Sequence, residues 1–136
     1  MTALAFLIPT KNRHDCLARW LPSVIRAAKA TGAAVVLCDQ SATPFVAPLG
    51  VRVLHRPDLG GLPAARNALL RAVDADVVCF LDDDTEVAAD FALELCALAD
   101  AEPRRLAWGP VVRYARMPSA DCTGCASWAA CATRAG

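Results

Sequence analysis

Apolar residues along this chain fall in short unbroken runs, separated by stretches where they recur at helical spacing. Ala3-Leu4-Ala5-Phe6-Leu7-Ile8 runs to Pro9, Ala34-Val35-Val36-Leu37-Cys38 runs to Asp39, and Val77-Val78-Cys79-Phe80-Leu81 runs to Asp82. Runs this short and continuous are expected of parallel strands buried on both faces. Val51-Arg52-Val53-Leu54-His55 reads as a shorter strand, and residues 106–114 as a fifth, which Pro110 keeps out of a central position unless a bulge intervenes. Between the runs, Leu17, Trp20, Leu21, Val24 and Ala28 predict a helix over residues 14–31, with Asn12 as its cap and Gly32 as its stop. Pro22 is expected to kink or divide that helix. Pro63 suits the first turn of a second helix reaching about residue 73, with Ala65, Leu69, Ala72 and Val73 facing the core. Val87, Phe91, Leu95 and Leu98 predict the apolar face of a third. The alternation implies an α/β fold: an open, mostly parallel, Rossmann-like sheet flanked by helices, with right-handed crossovers. Residues 118–136 lack periodicity, so the expected division is a domain over 1–117 and a weakly structured, Cys-containing tail over 118–136.

Composition narrows the class. At 136 residues the chain has the size of one domain, and 56% hydrophobic against 21% charged residues argues against disorder. The formal net charge of zero gives no support for a nucleic-acid partner or an anionic membrane surface. No apolar run approaches the roughly 18 residues of a membrane span. The first run is too short for a signal-peptide core, so a cytoplasmic location is expected. Cys16, Cys38, Cys79 and Cys96 sit singly within predicted elements and read as small buried apolar residues. Cys122-Thr123-Gly124-Cys125, with Cys131, has the spacing of a zinc knuckle or redox pair. A further ligand is wanting, because His14 and His55 are distant in sequence, and a bland terminal segment is the favoured reading.

The candidate chemistry sits where the strands end. Asp82, Asp83 and Asp84 follow one strand, Asp39 ends another, and Thr10 follows the first. In an open parallel sheet these ends share one rim, where ligands bind. Adjacent carboxylates repel, and a divalent cation resolves the conflict; hard oxygen ligands favour Mg²⁺ or Mn²⁺, which hold substrate phosphates. Against this stands the plainer reading of a solvated acidic turn, with Asp39 a turn residue and Thr10 a helix-start residue. Arg66 and Asn67 lie in the first turns of their helix, where an Arg suits a diphosphate; the plain alternative is a solvated helical Arg. No Gly-x-Gly-x-x-Gly follows the first strand, there is no Walker-type Gly-Lys-Ser/Thr, and no nucleophile-elbow spacing supports a hydrolase.

Four segments in order carry a resemblance: Phe6-Leu7-Ile8-Pro9-Thr10-Lys11-Asn12-Arg13, Val36-Leu37-Cys38-Asp39, Ala64-Ala65-Arg66-Asn67 and Phe80-Leu81-Asp82-Asp83-Asp84. The chain resembles the N-terminal, nucleotide-sugar-binding half of a family 2 glycosyltransferase of GT-A fold, over residue 3 to about residue 113. The resemblance implies a UDP- or dTDP-linked sugar donor and Mg²⁺ or Mn²⁺. By the family pattern, the Pro9-Thr10 turn and Asp39 hold the base, Asp83 approaches the ribose, Asp84 binds the metal, and Asp82 completes the acidic motif. Arg66, or Arg56, lies near the nucleotide. Family members usually continue for another hundred or so residues, which supply the acceptor pocket and, in inverting members, a carboxylate base. Only 52 residues follow Asp84 here, and Asp121 is the one late acid in a candidate position for a base. The alternative is a non-catalytic nucleotide-binding or assembly module. A half-size sheet also makes a second copy of the chain a candidate partner.

Overall fold

The computed structural model of the chain describes residues 2–104 and residue 107. Seven elements alternate: β1 (Leu4–Thr10), α1 (His14–Lys29), β2 (Ala34–Asp39), β3 (Val51–His55), α2 (Gly61–Arg71), β4 (Val77–Phe80) and α3 (Phe91–Ala101). The four strands form one parallel sheet in the order β3-β2-β1-β4. The predicted α/β architecture is therefore what the chain adopts. The proposed fifth strand, the 117/118 division, Asp121 and the Cys122, Cys125 and Cys131 group lie outside the described residues.

The strand order follows from burial. β1 is buried along its whole length and takes the centre, between β2 and β4. From β1 the chain steps outward to β2 and β3, then returns through α2 to β4 on the other side of β1. The direction of winding thus reverses at β1, the kind of point where open α/β sheets bind ligands.

Alternation of side chains along the strands gives the sheet two apolar faces. Leu4, Phe6, Ile8, Val35 and Leu37 pack with Leu17, Leu21 and Val24 of α1 and with Ala92 of α3. The rings of Phe6 and Phe91 stack at 6.2 Å on this face. Ala5, Leu7, Val36 and Cys38 meet Ala65 and Leu69 of α2 on the other face.

Several local expectations are corrected. Pro22 lies inside a continuous α1 and does not divide it. Asn12 is not the helix cap; it takes a left-handed conformation (φ 55°), which Asn tolerates better than most residues. Arg13 holds the cap position instead. β4 is half-buried rather than buried on both faces, because it borders the described sheet and Phe80 is exposed. In α3, Phe91, Ala92, Leu95 and Cys96 face the core, whereas Leu98 points to solvent and Val87 precedes the helix. Cys38 is buried, and Cys79 and Cys96 are half-buried; all three are free thiols, with desolvation pushing Cys79 up to about 11. Cys16 is buried in the core, as its reading as a small buried apolar residue expects.

Candidate functional site

The parallel register sets Thr10 beside Asp39 at the carboxyl ends of β1 and β2. The hydrogen-bond ladder continues past the strands: Gln40 N–H donates to Thr10 O at 2.9 Å, Arg56 N–H to Asp39 O at 2.8 Å, and Leu81 N–H to Leu7 O at 3.0 Å. These bonds carry the strand geometry into the loops, so Thr10, Asp39 and the acidic turn share one rim.

Across the β1/β4 junction, the Thr10 hydroxyl donates to Asp83 Oδ2 at 2.8 Å. Arg13, at the start of α1, bridges the turn: Nη1 lies 3.3 Å from Asp83 Oδ1, and Nη2 donates to Asp84 Oδ2 at 2.9 Å. Asp83 is buried while Asp82 and Asp84 are exposed. Desolvation raises the Asp83 carboxyl above its ordinary range; Thr10 and Arg13 counteract this, and the neighbouring Asp84 and Asp82 add to it. Val87 N–H donates to Ser23 Oγ at 3.2 Å, which ties the segment after the acids to α1.

Asp39 is fully buried and does different work. Its Oδ1 accepts the Ser41 N–H at 2.9 Å, and its Oδ2 accepts the Phe45 N–H at 2.7 Å and faces His14 Nε2 at 2.9 Å. Burial pushes this carboxyl up, but the bonds from Ser41 and Phe45 and the charge of His14 outweigh it and hold it below the usual range. The His14 and Phe45 rings meet edge to face at 5.3 Å above it. Ser41 Oγ in turn accepts the Asn12 N–H at 2.7 Å, joining the loop after β2 to the loop after β1. Asp39 thus organises residues 41–45.

Arg66 stands on the α2 side of the sheet, with its guanidinium 5.5 Å from the centre of the exposed Phe80 ring. Its Nε is buried with no hydrogen-bond partner among the described residues. Gln40 fixes the start of this helix, donating from Nε2 to Leu59 O at 2.9 Å and Gly61 O at 3.0 Å. Arg56 lies apart from the acidic turn and is engaged by Asp58 at 2.8 Å.

The structure therefore brings Thr10, Asp83 and Asp84 together, sets Asp39 beside them under a cover of His14 and Phe45, and places Arg66 over β4. Arg13, His14, Ser41, Phe45 and Phe80 had no assigned role in the sequence reading. Arg13 was visible there, because it closes the Pro9-Thr10-Lys11-Asn12-Arg13 segment that leads into the helix. Phe45 was not, since its bond to Asp39 is made by a backbone N–H.

A divalent cation is compatible with this donor set. Among the described residues no group of three or more His, Cys, Asp or Glu side chains forms a metal cage. Mg²⁺ commonly takes only one or two carboxylates and completes its shell with phosphate oxygens and water. Asp84, with its side chain 39% exposed, can offer such a carboxylate.

The fold is that of an open parallel α/β sheet with polar and acidic side chains gathered on one rim, and the sequence comparison makes the class specific. The model for glycosyl transferase family 2 matches residues 5–121, and the chain belongs to that family. Among solved structures, S. aureus TarS 1-349 is similar, with a TM-score of 0.61 and 20% identity over 74% of this chain. A second S. aureus TarS structure gives 0.60 and 21% over 74%. The chain spans 33% of the first TarS chain and 20% of the second. Comparison with curated proteins gives no match.

Proposed function

We propose that this chain is the donor-binding portion of a family 2 glycosyl transferase, taking a nucleoside diphosphate sugar with Mg²⁺ or Mn²⁺. The observation that carries the reading is the Thr10–Asp83–Arg13–Asp84 constellation at the point where the sheet reverses direction. The donor is UDP- or dTDP-linked. Pro9, Thr10 and the loop organised by Asp39 cradle the base, and direct contact with Asp39 requires residues 41–45 to give way. Asp83 approaches the ribose, Asp82 completes the acidic motif, Asp84 holds the metal, and Arg66 lies near the diphosphate.

In the transfer, the acceptor hydroxyl oxygen bonds to the anomeric carbon as the anomeric carbon–phosphate oxygen bond breaks. The electron pair leaves on the nucleoside diphosphate, and the acceptor proton passes to a base, for which Asp121 is the candidate. When bound, the metal neutralises charge on the departing diphosphate. This chain's own residues bind, orient and balance charge around that event.

Asp84→Ala tests the assignment. Metal-dependent UDP binding, measured by calorimetry, is expected to weaken by more than about tenfold, in line with losses seen when metal sites are disturbed. Unchanged binding would remove Asp84 from the site. UDP binding without sugar transfer, even with acceptors supplied, would favour a non-catalytic nucleotide-binding module.

A further inference from the structure

We propose that Arg13 is a resident counter-charge of the acidic turn, which yields Asp84 to the divalent cation when the donor binds and so couples metal uptake to diphosphate uptake. The proposal rests on the reading of Asp84 as the metal-binding residue.

Three consecutive carboxylates, one of them nearly dry, need positive charge nearby. Arg13 supplies it from a fixed place. It caps α1, with Leu17 N–H donating to its carbonyl at 3.0 Å, and its side chain is 30% exposed. A planar guanidinium fork can serve two carboxylates at once, which a point charge cannot. Here the fork divides between Asp83 at 3.3 Å and Asp84 at 2.9 Å, and Nη2 also lies 3.7 Å from Cys16 Sγ.

The two carboxylates differ in how they can respond. Asp83, 7% exposed, is also held by Thr10, so it stays in place. Asp84 is 39% exposed and faces solvent. A cation arriving alone must compete with Arg13 for Asp84 and then sit beside a displaced positive charge. A cation arriving with a diphosphate meets no such conflict, because the Nη2 arm released from Asp84 can donate to phosphate oxygens while Nη1 stays on Asp83. Metal and diphosphate therefore each raise the affinity for the other by the same factor. An exposed ion pair elsewhere on a protein is worth little. This one differs because Arg13 is also held in place by the almost buried Asp83 and because its competitor carries two charges.

The test is Mn²⁺ binding, followed by the electron paramagnetic resonance of free Mn²⁺, with and without UDP. The forms compared are wild type, Arg13→Gln, Arg13→Lys and Arg13→Gln with Asp84→Asn. Wild type is expected to bind Mn²⁺ weakly alone and about tenfold or more tightly with UDP, within the usual span of coupling between sites. Arg13→Gln is expected to bind Mn²⁺ alone more tightly than wild type, with the UDP effect shrinking toward none. Arg13→Lys, which keeps the charge but not the fork, falls between them. Asp84→Asn cancels the gain. Thermal melting provides a second readout: Mn²⁺ should raise the midpoint of Arg13→Gln more than that of wild type. Equal Mn²⁺ affinity and equal coupling in wild type and Arg13→Gln would overturn the proposal while leaving the metal site standing. Weaker Mn²⁺ binding by Arg13→Gln only when UDP is present would also overturn it, making Arg13 a plain diphosphate ligand. No Mn²⁺ binding by any form, even with UDP, would instead overturn the metal reading and this proposal with it.

Discussion

Asp83 is held against its own ionisation. It is buried between two other acids, and its proton affinity is raised despite Thr10 and Arg13. A carboxyl with a raised folded-state pKa binds its proton more tightly when folded. Its contribution to stability is full below the unfolded value, near 3.9 for Asp, and is lost as pH rises through the folded value. Asp83→Asn is therefore expected to melt higher than wild type at pH 7, by about 0.5–2 kcal/mol, the usual gain when a functional site is relaxed. The gap should close as pH falls toward the unfolded value, and nucleotide affinity should fall throughout. Melting curves from pH 4 to 8 check this; a destabilised variant at pH 7 would show that the bonds from Thr10 and Arg13 outweigh burial. Asp39 has the opposite sign, since its folded value is depressed. Both acids could be picked out from the sequence as rim residues. Their different burial and partners could not, because Ser41 and Phe45 act through main-chain N–H groups that no side-chain pattern reveals.

At the scale of elements, the strands were the easiest to read. β1 and β2 are buried over nearly all their length, so an unbroken apolar run is an accurate sign of them. The helices were read less well at their ends and faces. Spacing assigned Val87 and Leu98 to one helical stripe, but Val87 belongs to the loop after the acids, where its N–H meets Ser23. Periodicity alone cannot tell a helix from the loop that feeds it. α2 bears on the proposed donor site because it carries Arg66. Its grip on the sheet is Ala65 and Leu69, both fully buried. Leu69→Ala is expected to cost about 2–5 kcal/mol of folding stability, the range for buried Leu truncations. Denaturant melts measure that cost, and nucleotide titration of the folded variant should show weaker binding through a displaced Arg66. A cost below about 1 kcal/mol, at the bottom of what core truncations show, would mean that α2 is anchored elsewhere.

For the whole molecule, the alternation of runs and helical stretches was enough to give a parallel sheet with its chemistry on one rim. It did not give the order β3-β2-β1-β4, which decides that Thr10 and Asp83 meet across a reversal of winding. That order depends on which strand is most deeply buried, a property of the assembled sheet. It also explains why β4, an equally apolar run, is only half-buried among the described residues. In the proposed reading, this rim holds a nucleoside diphosphate through a metal. The most direct test of that reading is calorimetric titration of UDP into the unmodified chain, first with Mn²⁺ and then with EDTA. The account predicts saturable binding with Mn²⁺ that EDTA abolishes or weakens by about tenfold or more, as loss of a linked ligand requires. Equal binding under both conditions, or none under either, would contradict it.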